Sequence, residues 1–222
     1  MNFIKVQNLI LEGAEVLDPA NVIIKGDLII GKNVFIGHSV VFRGEVRLSN
    51  GVKIENNCEL NNCNVGAKTI IKSNSIIDDC DIGKESSVGP YSRIRPKTII
   101  GDYSQIGNFV EVKNSTLDSG CKINHLTYIG DSTIGKNVII GAGSVTCNYD
   151  GLRTHQTIIE NNAFIGSGVF LVAPIRVGES ATIGTGSVVT QNVPSKKLTI
   201  ARSRQITVEN WRGPKINEKK EE

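Results

Sequence analysis

Residues 86–140 read SSVGPYSRIRPKTIIGDYSQIGNFVEVKNSTLDSGCKINHLTYIGDSTIGKNVII. Within them an aliphatic side chain recurs about every six positions, at Val88, Ile94, Ile100, Ile106, Val112, Leu117, Ile123, Ile129, Ile134 and Ile140. Two residues before each stands a small one, among them Ser86, Ser92, Thr98, Ser104, Val110, Cys121 and Ser132. Alternate side chains of a β-strand point the same way, so a small and a large residue two apart form one short inward-facing strand. A helical period of 3.6 cannot generate this alternation. Three such hexads make a triangular coil of about 18 residues, and successive coils stack at the strand spacing of ~4.8 Å.

Outward from this stretch the ladder continues. It begins at Ile30 and passes through Ile36, Phe42, Leu48, Ile54, Leu60, Val65, Ile71, Ile77 and Ile82. After a gap it resumes at Ile159 and runs through Ile165, Leu171, Val177 and Ile183 to Val189. The reading is an all-β, hexapeptide-repeat solenoid over residues 1–194. Cys58, Cys63, Cys80 and Cys121 fall on the small inward position and read as core spacers, whereas Cys147 lies off the ladder and its role is open.

Function is expected where the repeat breaks. The main break, residues 146–157, reads TCNYDGLRTHQT and carries the turn signal Asp150-Gly151. An excursion of this kind is expected to close over a cleft or to pack on a neighbouring subunit. The ladder ends at Pro194; residues 195–213 read as a carboxy-terminal arm with a short helix around Val208, and 214–222 as a disordered, charged tail.

Composition narrows the function classes. Of 222 residues only 5% are aromatic and 39% hydrophobic, while 23 are glycine, so the core is filled by aliphatics arriving one at a time. The net charge of +3 is scattered rather than striped, which argues against nucleic-acid binding. Met1 to Leu11 lacks the features of a signal peptide, and no apolar run approaches about 18 residues, so the expectation is a cytoplasmic protein that does not engage a membrane. Five cysteines without a Cys-x-x-Cys spacing fit a reducing compartment and no zinc site.

Register places side chains in advance. Arg95 and Lys113 each follow an aliphatic on successive coils of one face, so they stack one coil apart, and two cations about 5 Å apart call for an anion near them. A phosphate is one candidate, and a solvated basic face is the other. Glu111 and Tyr128 occupy equivalent positions on that face. His125, two residues after Ile123, lies near the corner leading into Tyr128 and hence close to Lys113; whether it is chemical or incidental stays open on position alone. The remaining histidines, His38 and His155, lie elsewhere, so no metal is expected.

The segments GPYSRIRP, GNFVEVK, NHLTYIGD, IGAGSVTCNYDG, FIGSGVFLVAP and IARSRQ resemble the acetyltransferase half of the bifunctional enzymes that make UDP-N-acetylglucosamine. The resemblance covers most of the chain, including the early LDPANVIIKGDLIIG. It implies a left-handed parallel β-helix, a homotrimer with clefts between subunits, and acetyl transfer from acetyl-CoA to glucosamine 1-phosphate without a metal. It makes Arg95 and Lys113 the phosphate ligands, sets Tyr128, Asn148 and Tyr149 on the acceptor, and makes His125 the general base, with Glu111 orienting the cluster. On the donor side it implies Ala142, whose N–H would face the thioester oxygen, with Ser167, Thr185, Arg202 and Trp211. Uridyl transfer is not expected, because the chain begins after the place of the family's nucleotidyltransferase domain. Two positions depart from the pattern. Ile139 stands where the family has an asparagine that contacts the substrate, and Thr185 where alanine is expected. The first leaves room for another amino sugar or a nucleotide-linked one as acceptor, and a non-catalytic sugar-nucleotide-binding scaffold is the remaining alternative.

Overall fold

The computed structural model describes residues 2–211. Every ladder aliphatic from Ile36 to Val189 named above is buried, at 3% exposure or less, and Ile30 is half-buried at the rim. The small partners are buried beside them. Burying each such aliphatic is worth about 1.5–3 kcal/mol, so the stack is the main source of stability. Size is only half of what the small positions supply. Several of their hydroxyls and thiols donate to a carbonyl of the next coil: Thr69 Oγ1 to Gly83 O at 2.7 Å, Ser144 Oγ to Gly166 O at 2.9 Å, Cys58 Sγ to Lys72 O at 3.3 Å and Cys121 Sγ to Gly135 O at 3.2 Å. Burial raises the Cys58 and Cys121 thiols to about 11 and the Cys63 thiol to about 12, and pushes Cys80 up as well, as expected of packed spacers rather than reactive thiols.

The strands form three parallel faces. One is an 11-stranded sheet from Glu15–Val16 to Leu198–Thr199 that includes Gln105–Asn108, Lys122–His125, Ile139–Ile140, Phe164–Ile165 and Thr182–Ile183. The other two faces share the long strands Ile23–Ile30, Val41–Leu48, Glu59–Val65 and Ile76–Ile82, then separate. Above the split, the second face carries Arg93–Ile94, Glu111–Lys113, Tyr128–Gly130, Val145–Cys147 and Phe170–Val172. The third carries Thr98–Ile100, Thr116–Leu117, Ser132–Ile134 and Thr157–Ile159. The architecture is a left-handed parallel β-helix.

Three boundaries differ from the sequence reading. The solenoid does not start at the first residue: Asn2–Leu11 is an α-helix that buries Val6 and Leu9 and packs on Ile23–Ile30. It covers the open end of the coil, where unpaired strand edges would otherwise face solvent. Gly13, at φ 95°, ends it, with the Ala14 N–H donating to Leu9 O at 2.9 Å. At the other end the coil outlasts Pro194, because Leu198–Thr199 pairs with Thr182–Ile183. The expected helix around Val208 is replaced by irregular chain with a turn at Glu209 and Asn210, and the tail 214–222 lies outside the described residues.

The central excursion is also shorter than 146–157. Thr146 pairs with Leu171 and occupies a buried ladder position. A hydroxyl is tolerated there because Oγ1 accepts the Gly130 N–H at 2.7 Å and donates to Gly130 O at 3.2 Å. Thr157 is fully buried at the next small position. Residues 148–156 alone leave the coil, folded on themselves through a Tyr149–Thr154 bridge.

Candidate active site

On the second face Arg93 lies opposite Glu111, which lies opposite Tyr128, and Lys113 lies opposite Gly130. Arg95 and Lys113 therefore do stack one coil apart. Their counter-ions are already in the protein: Arg95 Nη1 meets Glu111 Oε1 at 2.8 Å, and Lys113 Nζ lies 3.8 Å from Asp131 Oδ2. The demand for an anion near the paired cations is thus met by carboxylates, and an external phosphate would join an occupied charge ladder. Half-exposed pairs of this kind add only about 0–1 kcal/mol to stability. Their effect is to fix where the cations point.

Gly130 is the close-approach point of this face. A Cβ there would lie 2.5 Å from Tyr128 Oη and 2.7 Å from Asn148 Nδ2, so only glycine lets the phenol and the amide fold over the strand. Asn148 is 7% exposed, and its Nδ2 donates to Asp131 Oδ2. Tyr149 is 64% exposed, with its hydroxyl donating to Gly151 O at 2.7 Å within its own loop. Asp150 ties the loop together. His155 Nε2 lies 2.6 Å from Asp150 Oδ2, and the N–H groups of Leu152 and Arg153 donate to Oδ1. His155 and then those backbone donors hold the Asp150 carboxyl well below the usual carboxylate range.

His125 is not on this face. It pairs with Asn108 on the 11-stranded sheet, across the corner formed by Leu126. It stands, as expected, beside the corner that leads into Tyr128, on the face adjacent to that of Lys113. Its own geometry suits proton transfer. Nδ1 lies 2.5 Å from Asn108 Oδ1. An amide oxygen only accepts, so Nδ1 carries the proton and Nε2, on the exposed side chain, is the basic nitrogen.

The donor-side positions collect above this imidazole. Ile123, Ile140, Ile165 and Ile183 are in register, so His125, Ala142, Ser167 and Thr185, each two residues later, form one column with one strand spacing between members. The Gly168 N–H donates to Ala142 O at 2.8 Å and the Gly186 N–H to Ser167 O at 2.9 Å. Arg202 Cδ would stand 3.9 Å from a Cβ at Gly186, at the head of the column. Trp211 is not gathered in; it is 73% exposed in the irregular arm. Ile139 points outward at 38% exposure, in register with the equally outward Phe164.

Asp131 was missed in the sequence. It touches both Lys113 and Asn148, and the signal that would have found it is its place 17 residues after Asn114, whose Nδ2 donates to its Oδ1. Asn108, the partner of His125, stands one coil before it, where register places it. Two cavities are not lined by His125. One of about 530 Å³ lies at the base, lined by Lys5, Leu9, Ile24 and Arg47 and far down the coil from His125. A second, of about 360 Å³, borders the excursion at Lys97, Asp131 and His155.

The class defined by coil and register is the hexapeptide-repeat β-helix. Residues 156–191 match the family model described as the hexapeptide repeat of succinyl-transferase, and residues 21–104 match the one described as the GMPPB C-terminal domain. The relatives are more particular. Over 106 residues, 48% of this chain, the sequence is 58% identical to the bifunctional protein GlmU of Methylobacillus flagellatus and 59% identical to that of Herminiimonas arsenicoxydans. These matches span 23% and 24% of those proteins, about a quarter of their length. Among solved structures, the UDP-N-acetylglucosamine acyltransferase from Campylobacter jejuni aligns over 83% of this chain and 70% of its own, at 17% identity and a TM-score of 0.57. The Arabidopsis enzyme of that name aligns over 82% and 70%, at 19% and 0.52. At such identities the structures establish the fold.

Proposed function

We propose that this chain transfers the acetyl group of acetyl-CoA to the amine of glucosamine 1-phosphate, as a cytoplasmic homotrimer whose sites lie between subunits. The observation that carries this is the division of labour between two faces. The second face gathers Arg95, Lys113, Tyr128, Asn148 and Tyr149, groups suited to a sugar phosphate. The first face sets a basic imidazole nitrogen beneath a column of small residues, suited to a thioester and its extended carrier. In this reading a second copy completes the cleft, as the resemblance to the GlmU proteins implies.

In the reaction the amine nitrogen attacks the thioester carbonyl while His125 Nε2 takes the ammonium proton. The Ala142 N–H stabilises the oxyanion as it forms. The C–S bond then breaks, the amide C–N bond remains, and the thiolate leaves as coenzyme A thiol after protonation. Asn108 keeps the imidazole in the tautomer this step needs. Arg95 and Lys113 hold the acceptor phosphate, and Glu111 orients Arg95. Arg202, at the head of the column, is placed for a phosphate of the donor, and Trp211 enters the site only across a subunit boundary.

A second reading keeps acetyl-CoA and changes the acceptor. Ile139 favours it, because an exposed aliphatic beside Phe164 offers apolar contact where the family pattern offers an amide. Both readings are tested by following thiol release from acetyl-CoA with glucosamine 1-phosphate, glucosamine and nucleotide-linked amino sugars. Turnover with glucosamine 1-phosphate that His125→Ala abolishes supports the first reading, and turnover only with another acceptor supports the second. Absence of thiol release with every acceptor leaves a non-catalytic scaffold.

A further inference from the structure

We infer that Asp131, which the proposed function leaves without a role, is the positioning residue that locks the acceptor face to the excursion. The inference rests on that reading for its ligand. Its geometry stands independently.

Asp131 sits at a corner with φ 49°, the left-handed conformation that asparagine and aspartate tolerate best among residues with a side chain. Its backbone makes two ties. The Asp131 N–H donates to Lys113 O at 3.1 Å, and its carbonyl accepts the Thr157 N–H at 3.2 Å. Its carboxylate makes three more contacts: Oδ1 accepts from Asn114 Nδ2, Oδ2 accepts from Asn148 Nδ2, and Lys113 Nζ stands 3.8 Å from Oδ2. One residue thus grips both ends of the excursion, Asn148 where it leaves the coil and Thr157 where it returns. The grip extends inward through the His155 N–H, which donates to Asn148 O at 2.7 Å.

The division of bonds explains why this serves a ligand. Side-chain exposure falls from 32% at Lys113 to 11% at Asp131, so the carboxylate is the inner, nearly covered partner. Its oxygens are taken by two amides. The ammonium, at 3.8 Å, is beyond hydrogen-bonding distance, so Lys113 is held in place while its N–H groups stay free for an incoming anion. Each oxygen of the carboxylate already accepts an amide N–H. It acts through Lys113 and Asn148. Asparagine at this position would keep the volume but present an N–H₂ to one of two amide donors, so either Asn114 or Asn148 would lose its acceptor.

The test is Asp131→Asn, with Asn148→Asp as a second variant that attacks the same contact from the other side by setting two carboxylates together. Hydrogen exchange is measured on each full chain, together with thiol-release kinetics. The expected result is about tenfold faster exchange at the His155 and Thr157 amides in both variants. Alongside it, KM for glucosamine 1-phosphate should rise about tenfold in Asp131→Asn, with kcat within about twofold and KM for acetyl-CoA unchanged. Unchanged exchange at those amides overturns the inference. So does faster exchange with an unchanged acceptor KM, because Asp131 would then order the loop without serving the site. If the wild type turns over no amino-sugar phosphate, the functional reading falls, and the exchange pattern alone decides whether Asp131 is the lock.

Discussion

The two outer faces that meet at Leu126 are built by opposite means. The face of Arg95 and Lys113 is crowded with side chains that reach across coils: Arg95 meets Glu111, Lys113 lies by Asp131, and Asn114 and Asn148 donate to Asp131. The column above His125 is built of small residues, Ala142, Ser167 and Thr185, whose hydrogen bonds run through the backbone. Both rest on the same inward ladder, so the difference owes nothing to the core. It teaches that the solenoid separates stability from function: inward positions are fixed by the repeat, and outward ones are free to build a binding surface either by adding groups or by removing them.

The largest expected effect falls on the imidazole beneath this column. His125→Ala should lower the thiol-release rate about 10²- to 10⁴-fold, with the thermal midpoint unchanged because the side chain is exposed. A drop below about tenfold would remove it as the base. On the crowded face, Lys113→Ala should raise KM for glucosamine 1-phosphate about 10- to 100-fold, the value of a charge-assisted hydrogen bond, and leave KM for acetyl-CoA alone. Equal rises in both constants would erase the distinction between the faces. Adding bulk to the small-residue column by Ser167→Tyr should do the reverse, raising KM for acetyl-CoA roughly tenfold and sparing the acceptor.

The smallest effect concerns the loop beside the crowded face. Because Asp150 is held below the ordinary carboxylate range in the folded chain, its stabilising contribution is complete above the unfolded value of about 3.9 and is lost only as pH falls through the lower folded value. A carboxyl-carbon NMR titration should place its midpoint below that of an unfolded aspartate. A midpoint at the ordinary value would mean that His155 does not hold the loop.

Much of this was legible in advance because a solenoid core is one-dimensional. The side chain six residues ahead is the next core contact, so Ile94, Val112 and Ile129 could be stacked by counting alone. Counting fails where contacts stop being local in this sense. Among its described side chains the amino-terminal helix buries Val6 and Leu9, while Ile4 and Leu11 stay exposed, so no clean stripe announces it. Thr146 hides a ladder position because its hydroxyl is satisfied by Gly130 rather than excluded from the core. Register gave the stacking of Arg95 on Lys113 but not their partners. A side chain chooses among neighbours above, below and across a corner, and Glu111 and Asp131 were both within reach.

The proposed division of one site between two chains is most directly tested by mixing His125→Ala and Lys113→Ala subunits after dissociation, reassembling them, and measuring thiol release at acceptor concentrations well below the KM of Lys113→Ala. Random assortment of equal amounts should return about a quarter of the wild-type sites, because some interfaces then join an intact acceptor face to an intact His125 column. If the mixture is no more active than the two variants alone, while wild-type protein treated identically recovers, the two faces do not meet across a subunit boundary.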